Sequence, residues 1–426
     1  MNMKRRDFLK AAGVGLGVAG FPGLVLGTVA ARVVVVGGGT GGASVARYIK
    51  RANATIDVTL IEPNAIYHTC YMSNEVLSGD RDISHIQAGY EGLEAQGINV
   101  VHDFVVSIDP EAKSVTTASG EQLPYDRCVV SPGIDFKWET IEGYDEGVAE
   151  RIPHAWKAGN QTSALRSQLE AMDDDGTVII APPDNPFRCP PGPYERISQI
   201  AHYLKTHNPT SKILVLDAKT SFAKKAAFDL GWERLYGYGS DNSMIDWLPG
   251  DPVTALDETS GTVTTRNGFS YQGDVINLIP NQKAGRLAFD LDLTEGEWCP
   301  VDLRTFESTR YPGIHVIGDA CIGSALPKSG FAANAEAKVC ARAVVALLGG
   351  QSPETPAFTN TCYSVVGTDY AISVVAMYRL SADGKAIEKV PNSGGVTPLE
   401  ASATDLQREV GHAHSWYNNF VDDVFG

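Results

Sequence analysis

The sequence contains no Cys-x-x-Cys pair and no Cys-x-x-Cys-His. A zinc ribbon or a c-type haem carried on this chain would need such spacing, so both are disfavoured. Basic residues are scarce: 35 Lys and Arg face 51 Asp and Glu, a formal net charge of −16. Nucleic acid and anionic membrane surfaces carry the same sign, which makes both poor partners. Charged residues make up only 20% and hydrophobic ones 43% of 426 residues, which excludes a disordered chain. This length asks for two or three domains around a large core. Seven Cys is an odd number, so at least one is free, ligated or modified.

The N-terminus reads Lys4-Arg5-Arg6-Asp7-Phe8-Leu9-Lys10, followed by a Gly-interrupted apolar run over 11–26 and then Thr28-Val29-Ala30. That run is too short and too weakly apolar to cross about 30 Å of hydrocarbon. Charged start, apolar middle and small-residue exit form a secretory signal over 1–30, and the paired arginines match the twin-arginine type. Cleavage near Ala30 would remove four positive charges and one negative, leaving 31 against 50, or −19. The expected destination is the periplasm, where a disulfide can persist.

Directly after it comes Ala31-Arg32-Val33-Val34-Val35-Val36-Gly37-Gly38-Gly39-Thr40-Gly41-Gly42. Four consecutive Val predict a buried parallel strand. Gly37, Gly39 and Gly42 stand in G-x-G-x-x-G spacing, which serves a tight turn, a close approach to pyrophosphate and helix–strand packing. A helix over 43–51 and a strand ending in Glu62 complete a βαβ unit, with the acid placed to accept from ribose hydroxyls. FAD and NAD share this pattern. Gly313-Ile314-His315-Val316-Ile317-Gly318-Asp319 resembles the second FAD signature of the glutathione-reductase-like flavoproteins, in which the Asp accepts from the ribityl chain. Val129-Val130-Ser131-Pro132-Gly133 resembles their middle motif, with Ser-Pro-Gly where Ala-Thr-Gly is usual. With three motifs in order, FAD is the expected cofactor.

A second βαβ unit begins near Gly176, with strands at 177–180 and 212–217 around a helix over 193–206. Its loop, Ala181 to Gly192, holds five prolines and no glycine fingerprint. Proline offers no N–H to a phosphate, so NAD(P)H is not expected to bind here in the usual way. The loop carries Cys189 instead. Cys70 lies eight residues after Glu62, and eight extended residues reach about 26–29 Å, enough to run from the adenosine end of FAD to its ring. Cys362 opens a C-terminal strand-rich region. Seven Cys allow 21 pairings, and spacing does not choose among them.

Taken together, the chain resembles the flavoprotein subunits of the flavocytochrome c sulfide dehydrogenases, relatives of the sulfide:quinone oxidoreductases. The carrying segments are the twin-arginine signal, Val33 to Gly42, Leu60-Ile61-Glu62-Pro63, Thr69-Cys70-Tyr71-Met72-Ser73-Asn74-Glu75 and Arg188-Cys189-Pro190-Pro191-Gly192-Pro193-Tyr194-Glu195-Arg196. Downstream they continue with Gly318-Asp319-Ala320-Cys321, Pro327-Lys328-Ser329-Gly330 and Asn360-Thr361-Cys362-Tyr363.

The resemblance implies an α/β fold of two Rossmann-like dinucleotide-binding domains plus a smaller C-terminal α+β interface domain. The FAD-binding domain is expected at 31–150 and 271–350, the second nucleotide-like domain at 151–270 and the interface domain at 351–426. Strands such as 274–278 are read as the return to the FAD domain. The resemblance further implies an 8α-S-cysteinyl bond from Cys70 to FAD and a catalytic Cys189–Cys362 disulfide. Glu195 is the implied proton-transfer carboxylate. Gly37, Gly39, Gly42, Glu62, Pro63, Val106, Pro132, Gly133, Asp319, Lys328 and Gly330 are the implied cofactor contacts, and no metal is expected.

In this reading HS⁻ opens the disulfide, an electron pair passes to FAD, and electrons leave singly to a c-type cytochrome or other periplasmic carrier. A second copy of the chain is the other partner considered. The final helical stretch from Thr404 holds one Arg and several acids, which suits packing on the body or a partner better than anionic lipid. The rival readings are a sulfide:quinone oxidoreductase, an NADH-dependent disulfide reductase and a non-catalytic flavoprotein electron carrier. Cys128, Cys299, Cys321 and Cys340 read as small core residues.

Overall fold

The computed structural model describes residues 31–426, so the signal segment expected at 1–30 lies outside the described residues. Strand Arg32–Val36 forms from the four valines and sits in the middle of a five-stranded parallel sheet. Its neighbours are Asp57–Ile61 on one side and Arg127–Val130 on the other, with Asn99–Val101 and Ile314–Val316 at the edges. Both faces are covered, as a run of apolar residues without alternation requires. The helices Thr40–Ala52 and Gly330–Leu348 pack on this sheet, and Val33, Val35, Leu60 and Val129 are buried in one core with them.

The second sheet is also parallel and runs Ile245–Pro249, Lys212–Asp217, Thr177–Ala181, Val275–Leu278. The structure corrects the expected boundary here. Strand Val275–Leu278 pairs with Val178–Ala181 and belongs to the second domain, so the chain returns to the first domain after it rather than at 271. A short apolar run fits a buried parallel strand in either sheet, and nothing local in Val-Ile-Asn-Leu chooses between them. Each Rossmann-like sheet carries a three-stranded antiparallel meander, 105–124 in the first domain and 253–272 in the second.

The C-terminal region is an antiparallel hairpin, Ala357–Gly367 with Tyr370–Leu380, extended by Ile387–Lys389 and Gly395–Val396. Helix Ala403–Phe425 starts at a capping box made by Ser402 and Asp405. It packs on the body: Tyr48 Oη donates to Asp423 at 2.6 Å and Lys338 pairs with the same carboxylate at 2.8 Å. Met72, Val76, Val365, Ala413 and Tyr417 share one apolar cluster, which draws the segment after Cys70 under the C-terminal hairpin. No helix among the described residues is long and apolar enough to cross a membrane.

Candidate active site

The glycine loop is built as its spacing demands. Gly37 has φ +94°, and a Cβ there would meet the Ser131 carbonyl oxygen at 2.4 Å. A Cβ on Gly42 would stand 1.7 Å from the Gly37 oxygen, so helix and strand touch only because position 42 has no side chain. Gly39 ends the loop and precedes the first helical residue. At the tip of the neighbouring strand, Glu62 accepts from the Gly38 N–H at 2.8 Å and from Asn64. Pro63 follows at the same strand end. Ser131 bonds back to Val36, and Gly133 follows with φ +64° and open space around it, leaving Pro132 and Gly133 beside the glycine loop. Val106 lies 55% exposed on the outer meander strand Val105–Asp109.

Asp319 follows the edge strand Ile314–Val316, and its Oδ1 is buried without a hydrogen-bond partner. Burial raises its pKa. Lys328 donates to the carbonyls of Asp319 at 2.7 Å and Cys321 at 2.9 Å, and its ammonium lies 3.8 Å from the Trp298 ring centre. Its own carbonyl accepts the Cys189 N–H at 2.7 Å. Gly330 begins the long helix, and a Cβ there would press on the Tyr71 ring at 3.0 Å.

The three candidate cysteines, far apart in sequence, line a single cavity together with Glu195, Arg188 and Gly330. Cys189 and Cys362 are both free thiols on this cavity wall, and the Cys362 thiol donates to the Tyr363 carbonyl at 3.7 Å. Cys189 has φ +59°, a left-handed conformation that costs a side-chain-bearing residue about 1–3 kcal/mol. Its loop is held at several points. Asp184 N–H donates to Asn281 and Arg188 N–H to Gln282, each at 2.8 Å, while Lys219 Nζ donates to the Pro183 carbonyl. Lys219 also pairs with Asp217 at 2.8 Å. Asp217 stands at the strand end where a dinucleotide-binding unit offers its carboxylate to a ribose. Here it is 0% exposed and accepts from Tyr194 and Trp247 as well. The domain uses this acid internally.

Glu195, in the first turn of helix Gly192–His207, turns away from solvent. Oε1 accepts from the Val365 N–H at 2.8 Å and Oε2 from Asn74 at 3.0 Å. Burial, with negative charge at Cys362 adding, pushes its pKa up to about 7 against the hydrogen bonds that pull it down. The neighbouring Cys189 thiol holds the Cys362 thiol below the usual range, and the Lys224 charge adds to this against burial. Cys189 is correspondingly raised. Asn74, Arg196 and Lys224 were not singled out from sequence. Arg196, 2% exposed, donates to Asn74, Asn277 and the carbonyls of His154 and Ala155, and so stitches the helix to its surroundings. Asn74 and Arg196 lie inside the two cysteine-bearing segments, which is the only signal the sequence offered for them. Cys128, Cys299, Cys321 and Cys340 are buried in the first core.

Family models match three stretches. "Sulfide dehydrogenase [flavocytochrome c] flavoprotein chain, central" covers 162–280, "Flavocytochrome c sulphide dehydrogenase, flavin-binding" covers 354–425, and "Pyridine nucleotide-disulphide oxidoreductase" covers 31–179. The chain is 56% identical over 45 residues to the flavocytochrome c sulfide dehydrogenase flavoprotein chain of Chlorobaculum thiosulfatiphilum, 11% of this chain and 94% of that sequence. The chain is a flavoprotein like those of the flavocytochrome c sulfide dehydrogenases and the sulfide:quinone oxidoreductases.

Mitochondrial sulfide:quinone oxidoreductase of Mus musculus is 23% identical over 341 residues, 76% of this chain and 72% of that one. The structure of the Aquifex aeolicus sulfide:quinone oxidoreductase superposes with a TM-score of 0.68 at 19% identity, covering 92% of each chain, and putidaredoxin reductase with 0.64 at 15% identity, covering 90% and 99%. These likenesses show a fold of two Rossmann-like domains. The flavoprotein is thus an oxidoreductase of a sulfide-oxidising, FAD-dependent family. Its residues fit that cofactor: the crowded glycine loop admits backbone-only contact with pyrophosphate, and the orphaned Asp319 Oδ1 is an acceptor in need of a hydroxyl donor.

Proposed function

We propose that the chain is a periplasmic sulfide dehydrogenase whose Cys189–Cys362 pair cycles between dithiol and disulfide. The observation that carries this reading is one cavity lined by both cysteines of the pair, by Cys70 and by the Glu195 carboxyl. In the oxidised form HS⁻ attacks one sulfur, the S–S bond breaks, and the products are a persulfide on one cysteine and a thiolate on the other. A second sulfide or another acceptor removes the sulfane sulfur, and the bridge re-forms as an electron pair is given up. Glu195, with a pKa raised to about 7, holds or releases a proton beside these sulfurs at neutral pH. The cavity wall, which includes Tyr71, Trp156 and Phe331, limits water around them.

FAD supplies an acceptor for two electrons that releases them one at a time. Gly37, Gly39 and Gly42 would hold its pyrophosphate, Glu62 its ribose and Asp319 its ribityl chain. Cys70 would anchor it through an 8α-S-cysteinyl bond. Export by the twin-arginine route suits a protein that takes up its cofactor before it leaves the cytoplasm. The acceptor in this reading is a c-type cytochrome or another periplasmic carrier. A mature chain at −19 would attract a basic carrier and speed encounter at low salt. Quinone is the second reading for the acceptor, favoured by the relatives named sulfide:quinone oxidoreductase.

Anaerobic titration with sulfide tests the central step. The flavin band of the wild-type protein should bleach, and Cys189→Ser, with its flavin retained, should not. Bleaching of Cys189→Ser at the wild-type rate would sink the proposal. Steady-state turnover with cytochrome c against a soluble quinone analogue then separates the two acceptors.

A further inference from the structure

Behind Cys362 lies a cation that the chemistry above does not use. Lys224 caps helix Lys225–Tyr236 in a left-handed conformation, φ +64°, which turns its side chain inward, and only 9% of it is exposed. Its ammonium donates to Ser364 Oγ at 2.8 Å and to the carbonyls of Ile372 at 3.3 Å and Cys362 at 3.5 Å. All three acceptors belong to the C-terminal hairpin, and Ser364 is fully buried. None of them is charged, so this hydrogen-bonded cage satisfies the ammonium without neutralising it. A buried charge without a counter-ion is unfavourable, which means that negative charge placed nearby is stabilised.

The acidic groups facing Lys224 are Cys362 from the hairpin, Glu195 from helix Gly192–His207, Cys189 from its loop and Glu409 from the C-terminal helix. Two other cations, Arg188 and Arg196, reach the Cys189 side. Arg188 donates to the Trp156 carbonyl, and Arg196 is spent on Asn74 and Asn277. The helix N-terminus beside Cys189 has little to offer a thiolate, because the Gly192 N–H bonds to the Cys189 carbonyl and position 193 is proline. Among the described residues, Lys224 is therefore the cation on the Cys362 side.

We propose that Lys224 is a positioning residue for the redox pair, its buried ammonium fixing one negative charge on the Cys362 sulfur and favouring the ionised Glu195 carboxylate. The proposal rests on the dithiol–disulfide reading of Cys189 and Cys362. Reduction of the bridge then takes two electrons and one proton near neutral pH, giving Cys189 as thiol and Cys362 as thiolate, rather than two electrons and two protons. The reduced pair then carries its one thiolate on Cys362 at neutral pH.

The experiment is the midpoint potential of the pair as a function of pH. The holoenzyme is equilibrated in dithiothreitol buffers, quenched, denatured and counted for free thiols. One proton per two electrons gives a slope of about 30 mV per pH unit, and two protons give about twice that. The wild-type plot should break between these slopes below pH 7. Lys224→Gln, which can still donate to Ser364, should move the break upward by at least about one pH unit, and Lys224→Arg should leave it in place. An unmoved break in Lys224→Gln, or an upward move in Lys224→Arg, overturns the proposal. If Lys224→Gln does not fold, the wild-type plot decides: a two-proton slope that runs unbroken from pH 5 to pH 8 overturns the proposal. No sulfide enters this measurement, so its failure is distinct from failure of Cys189→Ser to stop sulfide bleaching, which would overturn the proposed function itself.

Discussion

Replacing Glu195 by Gln should change how stability depends on pH. In the dithiol form the carboxyl is partly buried in the cavity wall and its pKa is raised from 4.5 to about 7. The folded state therefore keeps a proton that the unfolded chain has lost, and folding stability falls as pH rises through that window. The pKa difference is worth about 3 kcal/mol at roughly 1.4 kcal/mol per unit, and about 2–3 kcal/mol of this lies between pH 5 and 8.5. Gln carries no such proton, and its amide oxygen can still accept from the Val365 N–H. Titrating groups away from Glu195 and Cys362 are common to both proteins and cancel in the comparison. Guanidinium unfolding of the reduced proteins at pH 5 and pH 8.5, followed by tryptophan fluorescence, should show the wild type losing about 2–3 kcal/mol more than Glu195→Gln. Equal losses in the two proteins would refute a buried, proton-holding Glu195.

Gly42→Ala should abolish flavin binding or folding, because its Cβ would fall 1.7 Å from the Gly37 oxygen; a yellow, folded variant would contradict the packing described. Cys70→Ser should release its flavin when the chain is denatured in acid, whereas the wild-type colour should stay with the protein through precipitation. Lys219→Met leaves Asp217 buried without its ion partner and should cost about 3–5 kcal/mol, measured by denaturant unfolding. The double variant Lys219→Met/Asp217→Asn should recover part of that loss.

The first βαβ unit was legible because its information is local. Val33 to Gly42 encode a buried strand and a turn that no side chain can enter, and steric exclusion does not depend on distant residues. The Asp319 signature was legible for the same reason, as a strand end read within seven residues. The proline-rich loop told, by what it lacks, that its domain offers no backbone donors to phosphate.

Other features were decided only by the tertiary structure. Val275–Leu278 carries the same apolar signature whichever sheet it joins, and register against Val178–Ala181 settled the matter. Asp217 and Glu62 both end a second Rossmann strand in an acid, yet one is sealed against Lys219, Tyr194 and Trp247 while the other stands at the glycine loop. Lys224 shows the limit most clearly. In sequence it is one of two adjacent lysines opening a helix. Its neighbour Lys225 reaches Asp229 one turn along, whereas Lys224 turns under a hairpin some 140 residues away, reaching Ser364. Burial, and with it the strength of a charge, is a property of what packs around a side chain, and that information is distributed over the whole chain.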